Sequence, residues 1–261
     1  MAYRPDPDLE ILSKASNEDL HLLADSLMYP VDKHGKRLKF RRPAATLHRD
    51  KNYATCYPNK LHNMWKEIAE ELQKFGGHSG VNWIFRFNRG VTYREILIDV
   101  CKLQKVKNVD FKKDSTSTIE NAFLEKVVIL AIEKMSESEK KELINGLKNI
   151  EGWSDVFKNA VINEAMLVDL IKIAFKQGGF KSYVLVLQVV NSISKAVLGK
   201  GLTFGANAAL MKYLGAFMSG PWGWAFAIVT TAWSFMGPNR AATLKGVALV
   251  AYIRKKNKLG L

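Results

Sequence analysis

The longest charge-free stretch of the chain is 213-YLGAFMSGPWGWAFAIVTTAWSFMGPN-239, which contains no Asp, Glu, Lys, Arg or His. Charged residues make up 25% of the sequence, so a gap of this length is a distinct feature. A Ser-Gly-Pro sequence at 219–221 breaks it into two arms. As helices at about 1.5 Å per residue, the arms 202–218 and 222–236 would be about 25 Å and 22 Å long. Because both are shorter than a hydrocarbon layer of roughly 30 Å, the stretch predicts an apolar helical hairpin.

The remainder of the chain shows helical periodicity with recognisable helix starts. Ser16 precedes an apolar stripe at helical spacing, and Thr92 and Ser136 each have a Glu three residues later, as in a capping box. No segment alternates apolar and polar residues over a strand length, and no Asn-Gly or Asp-Gly turn joins two apolar runs. The sequence therefore predicts an all-α, multi-helix bundle with a C-terminal apolar helical hairpin.

Changes in composition divide the chain into three predicted segments. Residues 1–58 form a small N-terminal helical module followed by a basic loop at 30–58, and residues 59–150 form a central amphipathic helical domain. Residues 151–261 form a more apolar C-terminal helical region that contains the hairpin. Within that last region we expect one long helix over 153–175 and two strongly apolar helices over 180–198 and 241–253.

Positive charge is concentrated in two places. The formal net charge is +14. Residues 30–52 carry eight basic and two acidic side chains, and residues 240–261 carry six basic and no acidic ones. Such clusters are typical of surfaces that bind phosphates of lipid or nucleic acid, although a solvated surface or mobile basic loop has the same composition.

Cysteine and histidine usage predicts neither disulfides nor a metal site. Cys56 and Cys101 are the only cysteines, which fits a reducing compartment. The start of the chain, MAYRPDPDLE, has no apolar run of the kind found in a signal peptide. No phosphate-binding loop, nucleophile elbow or carboxylate pair stands out. We expect a cytoplasmic protein without cofactors, peripheral to the inner membrane, that is not an enzyme.

The apolar region and its basic flanks supply the candidate binding residues. Small side chains recur every four residues at Gly201, Gly205 and Ala209, which permits close helix packing in a membrane or in a bundle. The residues predicted for hairpin turn and packing are Gly205, Ala209, Ser219, Gly220 and Pro221. The residues predicted to contact a membrane or partner are Lys33, Lys36, Arg37, Arg41, Arg42, Trp222, Trp224, Phe226, Trp233, Arg254, Lys255 and Lys256.

Two stretches resemble a known bacterial family. They are 4-RPDPDLEILSKASNEDLHLLADSL-27 and the block 65–107, with its Glu-Leu-Gln-x-Phe-Gly-Gly and Tyr-Arg-Glu-Ile-Leu-x-Asp-Val elements. Both are similar to the YaaW-like family, and the late Gly-Pro turn followed by a helix ending in basic residues fits it too. That family is distantly grouped with ubiquinol–cytochrome c assembly chaperones, so the resemblance implies a helical, non-enzymatic protein that works at a membrane.

Two functions follow as expectations. In the first, basic residues of 30–52 and 240–258 meet anionic lipid and the hairpin then inserts or docks. In the second, the helices 180–198 and 241–253 line a groove for an apolar client helix of another protein, as in an assembly chaperone. Nucleic acid is the less favoured partner in either case.

Overall fold

A computed structural model describes residues 3–32, 34, 36–77, 91–150, 152–154, 163–202, 214, 217–218 and 220–261. The α-helices in these residues are α1 (Asn17–Met28), α2 (Tyr53–Cys56), α3 (Trp65–Gly77), α4 (Tyr93–Leu103), α5 (Thr116–Ile132), α6 (Glu137–Lys148), α7 (Glu164–Gln177), α8 (Gly179–Leu198), α9 (Gly223–Ala232) and α10 (Pro238–Lys258). Short 3₁₀ helices cover Glu10–Lys14, Leu47–Arg49, Leu61–Met64 and Trp233–Met236. Apart from an isolated bridge between Val31 and Arg37, the described residues contain no β-structure. The all-α prediction is confirmed.

The helix starts follow the capping chemistry predicted from the sequence. The Ser16 hydroxyl accepts a hydrogen bond from the Asp19 amide at the start of α1. Capping boxes open α4 at Thr92 and α6 at Ser136, and in each the Glu side chain accepts from the backbone of the capping residue. Each cap satisfies amide groups that have no partner inside the helix.

One predicted helix differs from the structure. The periodicity favours a single helix over 153–175, but α7 begins at Glu164. Asn163 has extended backbone angles there, and its side chain accepts a hydrogen bond from the Met166 amide. An N-cap of this kind fixes the helix start, so α7 is shorter than predicted.

The last helix, α10, lies at the centre of the molecule. It packs against α1, α3, α4, α5 and α8. Every residue from Ala241 to Ile253 is buried, as expected for a helix that is covered on all sides. Gly246 allows α3 to approach closely, because a Cβ at this position would lie 2.7 Å from the Leu72 Cδ1.

The three predicted segments contribute to a single hydrophobic core. Leu23 of the first, Ile96 of the second and Val250 of the third belong to the same buried cluster. Tyr183 of α8 and Tyr252 of α10 stack within it, with ring centroids 6.0 Å apart. The position of α10 joins the segments, since it contacts helices from each of them.

The second arm of the hairpin consists of α9 and the 3₁₀ helix that follows it, Trp233–Met236. Of the first arm, the structure describes Leu202, which is not helical, and Leu214, Phe217 and Met218, which are helical and buried. At the turn, Gly220 lies against the Trp222 indole, where an added Cβ would be 2.2 Å from the ring, and Pro221 is exposed. Gly205, Ala209 and Ser219, which the sequence also assigns to the hairpin, lie outside the described residues.

Candidate functional site

The basic triplet at the end of α10 points into the protein. Arg254 donates from Nε to Glu120 Oε2 at 2.9 Å, and its Nη2 donates to the Asp8 carbonyl at 2.6 Å. Lys256 Nζ lies 2.7 Å from Asp19 Oδ2. Lys255 is only 9% exposed and donates to the Ser182 hydroxyl at 2.9 Å.

The sequence predicts that Arg254, Lys255 and Lys256 contact a membrane or partner, and the structure places Arg254 and Lys256 in ion pairs within the fold. Acidic groups on distant parts of the chain, Asp19 and Glu120, are the partners of two of them. A cation with a close carboxylate partner loses most of its attraction for an external anion, because the two charges compensate. The triplet therefore fastens α10 to α1 and α5.

Two cations of the basic loop also face inward. Arg37 Nη1 lies 2.6 Å from the Asp25 carboxylate, which is fully buried, and its guanidinium stacks 3.6 Å from the Tyr29 ring centroid. Arg42 is 1% exposed and donates to the carbonyls of Ser26, Leu27 and Pro238. Both were predicted as surface contacts, and the structure instead gives them partners inside the fold.

Arg42 has a second buried cation near it. Lys245 of α10 is 1% exposed, and neither cation has a carboxylate within ion-pair distance in the described residues. Burial, together with the charge of Arg42, lowers the pKa of Lys245 to about 7. Burial alone lowers the pKa of Arg42 to about 9. This pair costs stability, because each charge leaves water without a countercharge.

Of the remaining basic candidates, Lys36 and Arg41 are exposed. Lys39 and Arg240, which lie in the same two basic segments, are exposed as well. Lys33 lies outside the described residues. The hydrogen bond from Arg42 Nε to the Pro238 carbonyl, 3.2 Å long, places the loop beside the first turn of α10 and hence near Arg240.

The hairpin's second arm carries a stripe of exposed apolar side chains. Its members share one face of α9 and the 3₁₀ helix that follows, and we call them the apolar stripe: Trp224, Ile228, Ala232, Phe235 and Met236. Trp224 is 41% exposed and Phe235 is 72% exposed. The first three recur every four residues, which keeps them on one side of the helix.

The other aromatic candidates belong to the core. Trp222, Phe226 and Trp233 are buried, so the prediction that they contact a membrane or partner differs from the structure. Trp233 packs against Phe123 of α5, with ring centroids 6.3 Å apart. Of the stripe residues, only Trp224 was predicted from the sequence; Ile228, Ala232, Phe235 and Met236 were not. A search for four-residue spacing from Trp224 would have found Ile228. Because the arm has no charged residues, however, its sequence does not show which face packs against the core.

The basic loop approaches the hairpin at a second place. A cleft of about 230 Å³ lies along the contact between α8 and α9, and His34 of the loop is one of its lining residues. Lys195 of α8 and Thr231 of α9 also line the cleft. His34 thus brings the loop to the hairpin's second arm.

The proposed client groove is closed. In α8 the residues from Ser182 to Ser194 are buried, and in α10 those from Ala241 to Ile253. The two helices pack against each other, and α1 and α5 contact both of them. Binding a client between them would require the core to open.

Comparisons with known proteins give the family. Residues 3–38 match a family described as a domain of unknown function, DUF3944. A UPF0174 protein of Helicobacter pylori (strain J99 / ATCC 700824) is 34% identical over 258 residues, which cover 99% of this chain and 94% of that protein. The chain belongs to the UPF0174 family.

A second relative confirms the resemblance seen in the sequence. The UPF0174 protein YaaW of Escherichia coli (strain K12) is 34% identical over 147 residues, which cover 56% of this chain and 58% of that protein. No solved structure matches this UPF0174 chain. Within the described residues, no helix is both long and apolar enough to cross a bilayer.

Proposed function

We propose that this UPF0174 protein acts by binding, without catalysis, and that it associates peripherally with an anionic membrane surface on the cytoplasmic side. The observation that supports this function is the apolar stripe, which is exposed on an arm that the basic loop borders at His34. Contiguous exposed apolar surface marks interaction sites on soluble folds, and Trp and Phe are favoured where hydrocarbon meets water.

The geometry of the stripe favours a helix that lies along the surface. From Trp224 to Met236 the stripe extends about 18 Å at about 1.5 Å per residue. Its opposite face, with Phe226 and Trp233, is part of the core. A helix with one apolar exposed face and one packed face can lie in the interfacial plane while the fold stays intact. This revises the expected insertion of the whole hairpin.

The charge contribution comes from the loop and the start of α10. Lys36, Lys39, Arg41 and Arg240 are exposed, and each would contribute about 1 kcal/mol of attraction to anionic lipid. The attraction falls with salt, because exposed charges are screened within about 10 Å at moderate ionic strength. Binding should therefore need both the stripe and low salt.

Flotation with vesicles tests the proposal. The wild-type protein should float with vesicles containing phosphatidylglycerol at low salt, and float less with pure phosphatidylcholine or at high salt. The double variant Ile228→Ser, Phe235→Ser should lose most of this binding. A matched control is Met166→Ser, Ile173→Ser, which removes two exposed apolar side chains from α7. If both double variants float like the wild type, the stripe is not the membrane contact.

A further inference from the structure

A second charged feature lies away from the apolar stripe. A pocket of about 360 Å³ opens where the turn between α7 and α8 meets the end of α10 and the start of α5. Four cations line it, Lys176, Arg254, Lys255 and Lys258, together with a single carboxylate, Glu120. A volume of this size accommodates a small-molecule ligand.

The positive charge of the pocket is only partly compensated. Glu120 is held by Arg254 and also accepts a hydrogen bond from the Tyr93 hydroxyl at 2.7 Å. For Lys176, Lys255 and Lys258, the described chain offers no carboxylate at ion-pair distance. Lys255 and Lys258 instead donate to the hydroxyls of Ser182 and Ser117, both at 2.9 Å.

Burial makes one of these lysines costly to charge. Desolvation lowers the pKa of Lys255 to about 8, although Glu120 opposes the shift, and the charge of Lys258 adds to it. Lysines at the end of α10 also interact favourably with the carbonyl groups of that helix terminus. That interaction does not involve Lys176, which reaches the pocket from α7.

The start of α8 adds a further positive element. Gly178 and Gly179 line the pocket with φ angles of +72° and +65°, and a Cβ at either position would meet nothing within 4 Å. Gly178 provides no side-chain cap for this 20-residue helix. The first amide groups of a helix lack intrahelical acceptors and attract anions. Gly179, the first residue of α8, lines the pocket beside the three lysines, whereas the Gly178 amide already donates to the Ala174 carbonyl at 2.9 Å.

We propose that this pocket binds a phosphate monoester, with Lys176, Lys255 and Lys258 as its charge contacts. A dianionic phosphate suits several ammonium groups and a helix N-terminus at once. Lys176 and Lys258 are exposed and form the entrance, whereas Lys255 is buried and forms the floor. The monoester is either a soluble metabolite-sized compound or the headgroup of a lipid such as phosphatidate.

The position of the pocket makes it independent of the membrane proposal. The apolar stripe ends beside Pro238, while the pocket lies around Arg254, about 25 Å farther along α10 at about 1.5 Å per residue. A protein lying on its stripe can thus leave the pocket open to solvent. The two sites can be tested separately.

The experiment uses calorimetric titration with inorganic phosphate and glycerol phosphate, and flotation with vesicles containing phosphatidate or phosphatidylglycerol. Lys176→Ala and Lys258→Ala should each weaken binding by about tenfold, the loss of one charge-assisted contact. Lys172→Ala is the matched control, because Lys172 lies one turn earlier on α7 and pairs with Asp169 at 3.0 Å outside the pocket. Circular dichroism verifies that each variant is folded.

Each outcome decides the proposal. Binding of the soluble phosphates that depends on Lys176 and Lys258 supports a soluble ligand. A preference for phosphatidate over phosphatidylglycerol that is lost in the same variants supports a lipid headgroup. The proposal is overturned if none of the probes binds, or if Lys172→Ala weakens binding as much as the pocket variants do. The variant Ile228→Ser, Phe235→Ser should retain soluble-phosphate binding, which separates failure of this site from failure of the membrane surface.

Discussion

Arg254 and Glu120 form an ion pair inside the contact between α10 and α5, with Nε 2.9 Å from Oε2. Both side chains are largely buried, and they are separated by 134 residues of sequence. The Tyr93 hydroxyl also donates a hydrogen bond to the same carboxylate. The pair therefore connects three helices, α4, α5 and α10, at one point.

Removing the Glu120 charge should destabilise the protein. Glu120→Gln leaves Arg254 buried with a neutral partner, and we expect the free energy of unfolding to fall by about 3 kcal/mol. Urea denaturation followed by circular dichroism measures the change. Glu133→Gln, an exposed position just after α5, is the control and should change it by less than about 0.5 kcal/mol. Equal stability of the two variants would contradict this role of the pair.

Lys245→Met should stabilise the protein at neutral pH. The pKa of Lys245 is lowered to about 7 in the folded state, so between pH 7 and the ordinary lysine pKa of 10.5 the unfolded chain binds more protons than the folded one. Stability of the wild type should therefore rise with pH across this window. The variant removes the cost of burying an unpaired charge. We therefore expect its free energy of unfolding at pH 7 to exceed that of the wild type by on the order of 2 kcal/mol.

Denaturation at pH 7 and at pH 9 measures both effects. The gain from Lys245→Met should shrink at the higher pH, where the wild-type lysine is already neutral when folded. Lys148→Met is the control, because it makes the same substitution at an exposed position of α6, where the lysine is not buried. A gain that is the same at both pH values would show that charge is not the cause.

Asp25→Asn should loosen the basic loop. The buried Asp25 carboxylate accepts hydrogen bonds from Arg37 at 2.6 Å and from the Tyr57 hydroxyl at 3.0 Å, which hold both ends of the loop against α1. Weakening this contact should lower the free energy of unfolding by about 2 kcal/mol. This is less than the loss expected for a fully buried ion pair, because Arg37 is partly exposed. Trypsin should then cleave within 30–52 faster than in the wild type, as measured by mass spectrometry. Glu18→Gln, exposed on the same helix, should leave the cleavage rate unchanged.

Trp224 should report membrane contact by fluorescence. It is the most exposed tryptophan in the described residues, whereas Trp153, Trp222 and Trp233 are buried. If the apolar stripe lies on lipid, anionic vesicles should reduce acrylamide quenching of the wild type. In Trp224→Phe, vesicles should reduce acrylamide quenching much less, although the variant still floats with them. In Trp65→Phe, vesicles should reduce quenching as in the wild type. Protection that survives in Trp224→Phe would place the contact elsewhere.

The local features of the fold were accessible from sequence. Ser16, Thr92 and Ser136 cap helices because their hydroxyls meet amides only three residues away, and such contacts depend on neighbouring residues alone. The absence of period-two patterns likewise predicted the all-α class. The Asn163 cap was overlooked because the apolar pattern continues on both sides of it.

The long-range partners of charged residues were not accessible in the same way. Arg254 and Lys256 belong to a run of basic residues that resembles an exposed patch, and their partners Glu120 and Asp19 come from distant helices. Counting charges in a window cannot distinguish a solvated lysine from one paired across the core. For the apolar arm, the neighbouring Trp222 and Trp224 have opposite environments, because helix rotation and not composition decides burial.

The central position of α10 has a consequence for synthesis. The helices that it covers, from α1 onward, leave the ribosome before Pro238–Lys258 has been made. At a translation rate of about 5–20 residues per second, roughly 10–40 s pass between the synthesis of α1 and α3 and the synthesis of α10. During that interval the faces of α1 and α3 that α10 covers in the described residues are exposed on the nascent chain.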